Sequence, residues 1–256
     1  MTNKGKKDGD FEERQFVKEF NKRKFVNFQK KFFGHIKNIY SVRVTSLQIS
    51  KMNHLKVQPK SDAYLVELDS VEIQKVIDKE YLIVEKDLEE LKHIIIPNSG
   101  ISIKRPDSTK YQIHKFTANS FNLVFDNSYL GAGSLIYLDN SKMRAENIEI
   151  IQHWGINLEQ FNFYFSKKLR LNVAEINNNY KKIQKYCLSE IKKQIQENSK
   201  IKQLIFTGQG IFDSPYYAKF SYIAGNLDEF QYSDFIVTQG SNRQNSPTIV
   251  IKPKGI

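Results

Sequence analysis

Strand-like and helix-like patterns interleave along this 256-residue chain, which restricts it to a mixed α/β architecture. Ser61-Asp62-Ala63-Tyr64-Leu65-Val66-Glu67-Leu68 is a strongly strand-like run, and Ile39 to Ile49 reads as a strand or strand pair. Ile94 to Lys104 is also strand-like, broken by the turn Pro97-Asn98-Ser99-Gly100. Between these runs, residues 69–93 form a charged helical excursion. Asp69 is its plausible cap, and Val71, Ile73, Val76 and Ile77 are its apolar stripe. Phe11, Phe16, Val17, Phe20, Phe25, Phe28 and Phe32 recur at helical intervals, predicting one basic amphipathic helix from about Asp10 to Phe33 that ends near Gly34. From Asn172 to Lys200, Val173, Ile176, Tyr180, Ile183, Cys187, Leu188, Ile191 and Ile195 follow one helix face. Tyr111 to Phe125 mixes strand and helix signals. Beyond Leu204, short β-rich runs predict an antiparallel sheet or β-ribbon.

Hydrophobic residues make up 40% of the chain and 31 are Phe or Tyr, which excludes a disordered polymer. One cysteine, Cys187, cannot close an intramolecular bridge. With no zinc-like Cys/His spacing, the chain reads as reduced and cytoplasmic. Cys187 itself reads as a buried small hydrophobe. No signal core or run of 18 apolar residues is present, so no membrane partner is expected. The net charge of +11 favours a polyanionic partner. Its distribution says more: residues 1–60 carry 15 basic against 5 acidic groups, residues 61–100 carry 4 against 10, and residues 161–256 carry 14 against 7. An acidic middle between basic ends suits a cation site whose surroundings attract phosphate, and suits a solvated acidic helix equally. No repeat or long linker divides the chain, so one domain over residues 1–256 is the expectation.

Chemistry concentrates at Asp62 and at Ser102-Ile103-Lys104. Residues two apart on a strand share a face, so Ser102 and Lys104 point one way while Ile101 and Ile103 point toward a core. If the strand of Asp62 pairs beside this one, a carboxylate, a hydroxyl and an ammonium converge at one sheet edge. Such a group can bind Mg²⁺ through Asp62 and backbone or water oxygens, while Lys104 orients an attacking water and stabilises charge developing on a phosphate.

A helix carrying Glu12 and Glu13, a Ser-Asp strand, a helical insertion, Gly100-Ile101-Ser102-Ile103-Lys104 and the following Lys110-Tyr111-Gln112-Ile113-His114-Lys115-Phe116 together resemble type II restriction endonucleases of the PD-(D/E)XK fold. The resemblance covers most of residues 10–135, the expected catalytic core, and more loosely the segment Gly240-Ser241-Asn242-Arg243. It implies an α/β fold with a mixed central β-sheet flanked by helices. It also implies Mg²⁺-dependent hydrolysis of double-stranded DNA at a defined sequence, leaving 5′-phosphate ends. Asp62 then matches the metal-binding aspartate and Lys104 the lysine. Ser102 stands at the second acidic position, where a hydroxyl is a poorer Mg²⁺ ligand than a carboxylate. A substitute carboxylate is therefore expected. Glu67 projects to the opposite face, whereas Glu12 or Glu13 can reach the sheet edge, and Glu13 is favoured. Gln112 and His114 share a face of the next strand and can touch the metal shell or the scissile phosphate. One such site cuts one strand at a time, so a homodimer or two binding events is expected for a double-strand break. A cognate DNA methyltransferase is expected in the same system, without a stable complex.

The β-rich part of a C-terminal lobe over about 160–256 is the candidate DNA reader. Gln239, Ser241, Asn242, Arg243 and Gln244 form a dense run of amide, hydroxyl and guanidinium groups suited to base edges, though a solvent-exposed hairpin loop reads the same way. Lys219, which can line the same groove, and Lys110 are further candidate DNA contacts, and lysines of the long C-terminal helix such as Lys181 and Lys185 are candidate phosphate contacts. Leu130-Gly131-Ala132-Gly133-Ser134 and Gly208-Gln209-Gly210 lack the features of phosphate-binding or dinucleotide loops and read as turns. Trp154-Gly155 reads as a packed corner. The rival from another class is a non-catalytic nucleic-acid-binding protein with a structural Asp62 and Lys104. A further rival keeps the nuclease fold and acts on repair-intermediate DNA or on RNA.

Overall fold

The computed structural model describes residues 4–104, 112–136, 138–139, 142–143, 147–176, 179–240 and 248–254. In chain order the elements are α1 (Lys4–Asn21), α2 (Val26–Phe33), β1 (Ile39–Arg43), β2 (Gln48–Ile49), β3 (Lys56–Val57), β4 (Ala63–Leu68), α3 (Ile73–Asp78), β5 (His93–Ile95), β6 (Ile101–Lys104), β7 (His114–Phe116), α4 (Ala118–Phe125), α5 (Ser128–Leu135), β8 (Leu138–Asp139), β9 (Lys142–Met143), α6 (Asn147–His153), α7 (Leu158–Leu169), α8 (Val173–Ile176), α9 (Tyr180–Glu197), α10 (Ser199–Thr207), β10 (Phe220–Ile223), β11 (Asn226–Glu229), β12 (Phe235–Gln239) and β13 (Ile249–Pro253). Two compact units divide the chain: Met1–Ser108 with Phe206–Tyr232, and Thr109–Ile205 with Ser233–Ile256.

In the first unit, a mixed sheet runs β1-β4-β6-β10-β11, with β5 also paired to β4. All its pairings are antiparallel except β6 with β10. One face carries Ala63, Leu65, Ile101, Ile103 and Phe220, packed against Phe16, Val17 and Phe20 of α1 and Phe28 and Phe33 of α2. Tyr40, Val42, Tyr64, Val66 and Leu68 share a second cluster with Val76, Ile83, Leu88 and Leu91. Strand β4 is thus buried on both faces, which is why its sequence is almost continuously apolar.

The aromatic rhythm that predicts one helix over residues 10–33 belongs to two. The chain breaks after Asn21, with Arg23 at φ 66°, and restarts at Val26. Tertiary hydrogen bonding accounts for the break. The Asn21 side chain donates to the carbonyls of Ser41 (3.0 Å) and Tyr81 (2.9 Å) and accepts the Ser41 amide (2.7 Å). It thereby satisfies backbone groups on the outer side of edge strand β1, which a continuing helix would carry it past. Phe25, in the break, still packs on Phe16, Phe20 and Tyr222 at ring-centroid distances of 5.6–5.9 Å.

The helical excursion is shorter than its charge pattern predicts. It consists of 3-10 turns at Ser70–Glu72 and Glu85–Glu90 around the six-residue α3. Val76 is buried, whereas Val71 and Ile77 are exposed. Val71 lies in the 3-10 turn before α3, and Ile77 is turned roughly 100° around α3 from Val76. Asp69 makes no side-chain cap; it binds Ser70 and Lys92 instead.

Strands β5 and β6 share one edge of β4, and Pro97-Asn98-Ser99-Gly100 bulges between them. Ser99 Oγ accepts the Leu65 amide at 3.0 Å, so a side chain replaces the missing ladder partner. A Cβ at Gly100 would overlap the carbonyl oxygens of Pro215 and Tyr217. Only glycine permits that approach. The Gly100 carbonyl in turn accepts the amides of Lys219 and Phe220, which seats β10 parallel to β6. The C-terminal β-rich region is therefore not one separate antiparallel sheet. Strands β10 and β11 complete the first sheet because Phe220 buries among Phe28, Phe32 and Phe33.

The second unit holds the antiparallel sheet β12-β13-β7 with helices α4 to α9. Its inward α9 positions are Tyr180, Ile183, Cys187, Ile191 and Ile195, the stripe read from sequence, although α8 is a separate helix. Leu130 to Ser134 is not a turn but part of the buried helix α5. Gly131 and Gly133 serve close packing: a Cβ would strike the Trp154 ring at the first and Cys187 Sγ at the second. Trp154 is buried beside Gly155 at φ 72°, the packed corner that was expected. Gly208 and Gly210 lie in a turn, both at positive φ. Among the described residues, no helix is long and apolar enough to cross a membrane.

Candidate active site

Three of the six expected catalytic residues, Asp62, Ser102 and Lys104, come together in the first unit, and a fourth, Glu13, lies within electrostatic range of Asp62. Asp62 immediately precedes β4, and the Ala63–Ile101 pairing brings it beside Ser102. Its amide donates to the Ile101 carbonyl at 2.8 Å, and its carbonyl accepts the Val44 amide at 3.0 Å, so both neighbouring strands pin its backbone. The carboxylate is held through one oxygen. Oδ2 accepts the Ile103 amide at 2.7 Å and the Ser102 hydroxyl at 3.4 Å, and lies 3.8 Å from Lys104 Nζ. Oδ1 carries none of these contacts.

Strand alternation sets the second half of the site. Ile101 and Ile103 are buried in the core below, while Ser102 and Lys104 share the other face, with the Lys104 side chain 30% exposed. A lysine is held on an apolar strand with its ammonium beside a carboxylate and still open to solvent.

Glu13 arrives from α1. Its Oε2 accepts two bonds from Arg43, from Nε at 2.9 Å and from Nη2 at 2.7 Å, and Arg43 also binds Asp10. Burial and the neighbouring Asp62 carboxylate raise the Glu13 carboxyl above its ordinary pKa, against the pull of Arg43. The Asp62 and Glu13 carboxylates lie within electrostatic range of each other, and the Ser102 hydroxyl lies beside Asp62. Among the described residues no three His, Cys, Asp or Glu side chains form a cage. Mg²⁺ does not need one, since it binds through one or two carboxylates and retains several waters. Asp62 and Glu13 fit that requirement.

Two participants escaped the sequence reading. Arg43, at the end of β1, orients Glu13; the residue types carried no signal for it, because the pairing crosses from α1 to the sheet. Lys60 stands two positions before Asp62, and alternation could have found it. Its stem packs where a Gly208 Cβ would sit. Burial pushes its ammonium down to about 8, the Lys104 charge acting in the same direction and Asp62 opposing.

Gln112 and His114 belong to the second unit, where His114 pairs with Ile251 in the sheet and its ring lies 4.4 Å from that of Phe116. Gln239, also in the second unit, donates its side-chain amide to the carbonyls of Ser134 (3.1 Å) and Ile136 (3.0 Å). Lys219, in the first unit, forms an ion pair with Glu229 at 2.9 Å. Lys110, Ser241, Asn242, Arg243 and Gln244 lie outside the described residues.

Compared with known proteins, the chain matches no family model, and no curated protein or solved structure matches it significantly.

Proposed function

We propose that this chain is a Mg²⁺-dependent, sequence-specific endonuclease of the PD-(D/E)XK type, hydrolysing double-stranded DNA in the manner of type II restriction enzymes. The observation that carries the reading is the 3.8 Å approach of Lys104 Nζ to Asp62 Oδ2 on neighbouring antiparallel segments, with the Glu13 carboxyl of α1 near enough to feel the Asp62 charge. The mixed sheet flanked by helices is the architecture that this class of enzyme requires.

In this reading the scissile phosphate lies over the end of the β4 and β6 strands. Water attacks phosphorus in line with the leaving 3′-oxygen; the P–O3′ bond breaks, the water oxygen stays on the 5′-phosphate while one of its protons passes to solvent, and the departing 3′-oxygen takes a proton from solvent to become the 3′-hydroxyl. Lys104 holds the attacking water and balances charge growing on the phosphoryl oxygens. Asp62 and Glu13 would hold Mg²⁺ as its anionic ligands, with the Ser102 hydroxyl beside Asp62. Mg²⁺, when bound, supplies Lewis-acid stabilisation of the phosphoryl group. The Ile103 amide keeps Asp62 in one orientation, so little reorganisation is left for the reaction. A homodimer would supply a second site for the opposite strand, and a separate methyltransferase would protect the host's own DNA.

The test is incubation of the purified protein with long DNA and Mg²⁺. Discrete fragments, lost in Lys104→Ala while DNA binding persists, support the reading. A smear indicates a nuclease without sequence preference, and unchanged DNA under any divalent metal indicates a binding protein. Cleavage by Lys104→Ala at the wild-type rate would overturn the site.

A further inference from the structure

Helix α7 presents an aromatic stripe where a surface helix ordinarily presents polar residues. Its inward side is served by Phe161 and Phe165, both fully buried. The three-and-four spacing of Gln160, Phe163, Tyr164, Lys167 and Lys168 makes these five one stripe, with Phe163 and Lys167 turned away from the buried pair. Phe163 is 55% exposed, far more than the helix needs for packing.

The stripe has an ordered partner in α5. Tyr129 stacks on Tyr164 with ring centroids 4.2 Å apart and planes inclined by 10°. Lys167 Nζ lies 4.1 Å from the centre of the Phe163 ring. Tyr129, Gln160, Phe163, Tyr164, Lys167 and Lys168 together line a cavity of about 460 Å³. Both charged residues in that lining are cationic. A second cavity of about 650 Å³ shares Gln160 and Phe163 and adds Glu159.

A flat apolar ring, a nearby pair of stacked tyrosines, an amide and two ammonium groups are complementary to a flat ring that carries hydrogen-bonding edges and an attached anion. We infer that this face of α7 binds an unstacked nucleobase together with its adjoining phosphate. The base takes the place of Lys167 over Phe163, and Lys167 turns with Lys168 to the phosphate. Gln160 is placed for the base edge. Paired bases inside a duplex cannot offer a free face, so the ligand is a single-stranded segment or a nucleotide. The site lies wholly within the second unit and does not depend on whether the Asp62 site cleaves.

The test is fluorescence anisotropy with the full chain in EDTA, which keeps any cleavage out of the measurement. The probes are a labelled mixed-sequence single strand of about twelve nucleotides and the blunt duplex of the same sequence, with deoxyadenosine monophosphate as competitor. Stacking energies for one base correspond to at least about a fivefold loss of single-strand affinity in Phe163→Ala, with recovery in Phe163→Trp. Lys167→Ala with Lys168→Ala weakens binding and flattens its salt dependence. Competition by the mononucleotide assigns the site to free nucleotides, and its failure assigns it to the strand. Duplex affinity changes less than twofold in Phe163→Ala. Because Phe163 is exposed, its loss leaves the melting curve close to wild type. Single-strand binding that is absent, or unchanged in Phe163→Ala, overturns the inference.

Discussion

The backbone amide of Ile103 donates to Asp62 Oδ2 at 2.7 Å, so the strand that carries Lys104 also orients the carboxylate that Lys104 faces. Position 62 consequently has two roles that substitution can separate. Asp62→Asn keeps an acceptor for the Ile103 amide and removes the charge; cleavage should be lost with stability close to wild type. Asp62→Ala should lose cleavage and also cost about 1–3 kcal/mol, because a half-buried amide loses its partner. Plasmid cleavage and urea denaturation on the two variants check this, with DNA binding retained in both.

Arg43 joins α1 to the edge of the sheet through Glu13 and Asp10. Replacing it with methionine leaves Glu13 without its donor and beside Asp62. The expected outcome is a destabilisation of roughly 1.5–3 kcal/mol, the range for a hydrogen bond to a charged group. Cleavage should fall with it. Glu13→Gln in the same background should recover part of the stability and none of the cleavage, since an amide does not need a counter-charge. Denaturant midpoints for the single and double variants decide it.

Lys60 predicts a pH dependence of known sign. Its folded pKa, about 8, lies below its ordinary value of 10.5, so between those values the unfolded chain binds more protons than the folded one. Stability contributed at this position therefore rises with pH through that window, and the cost of burying the charge is fully present below about pH 8. Lys60→Met should be more stable than wild type at pH 7, with the gap narrowing toward pH 9.5. Thermal melts of both proteins across that range test the sign, and a gap that widens with pH would exclude it.

Gly100 is the tightest point between the bulge and the segment leading into β10. Alanine there would push its Cβ against the carbonyl oxygens of Pro215 and Tyr217, which are backbone atoms and cannot rotate away. Gly100→Ala should cost about 1–3 kcal/mol or more and loosen the β6–β10 pairing next to Ser102 and Lys104. Hydrogen exchange at the Phe220 amide, which donates to the Gly100 carbonyl, is the direct readout.

Much of the site was legible because period-two alternation is a local rule. It places Ile101 and Ile103 in the core, leaves Ser102 and Lys104 together on the other face, and projects Glu67 away from Asp62. The apolar run at 63–68 likewise announced a central strand. What stayed hidden depends on partners distant in sequence. Helix periodicity carries no record of Asn21 leaving its helix to satisfy Ser41 and Tyr81. Gly131 and Gly133 looked like turn residues because glycine serves both sharp turns and close packing, and only the arrival of Trp154, Phe165 and Cys187 selects the second.

The amino-acid order alone settled the alternation of strands and helices, the face on which Ser102 and Lys104 lie, and the inward stripe of α9, since each follows from the geometry of a single element. Tertiary structure decided that β10 returns parallel to β6 and that Arg43 holds Glu13. Those pairings close loops of up to more than a hundred residues, and they are selected by which surfaces bury together rather than by any local preference of the chain.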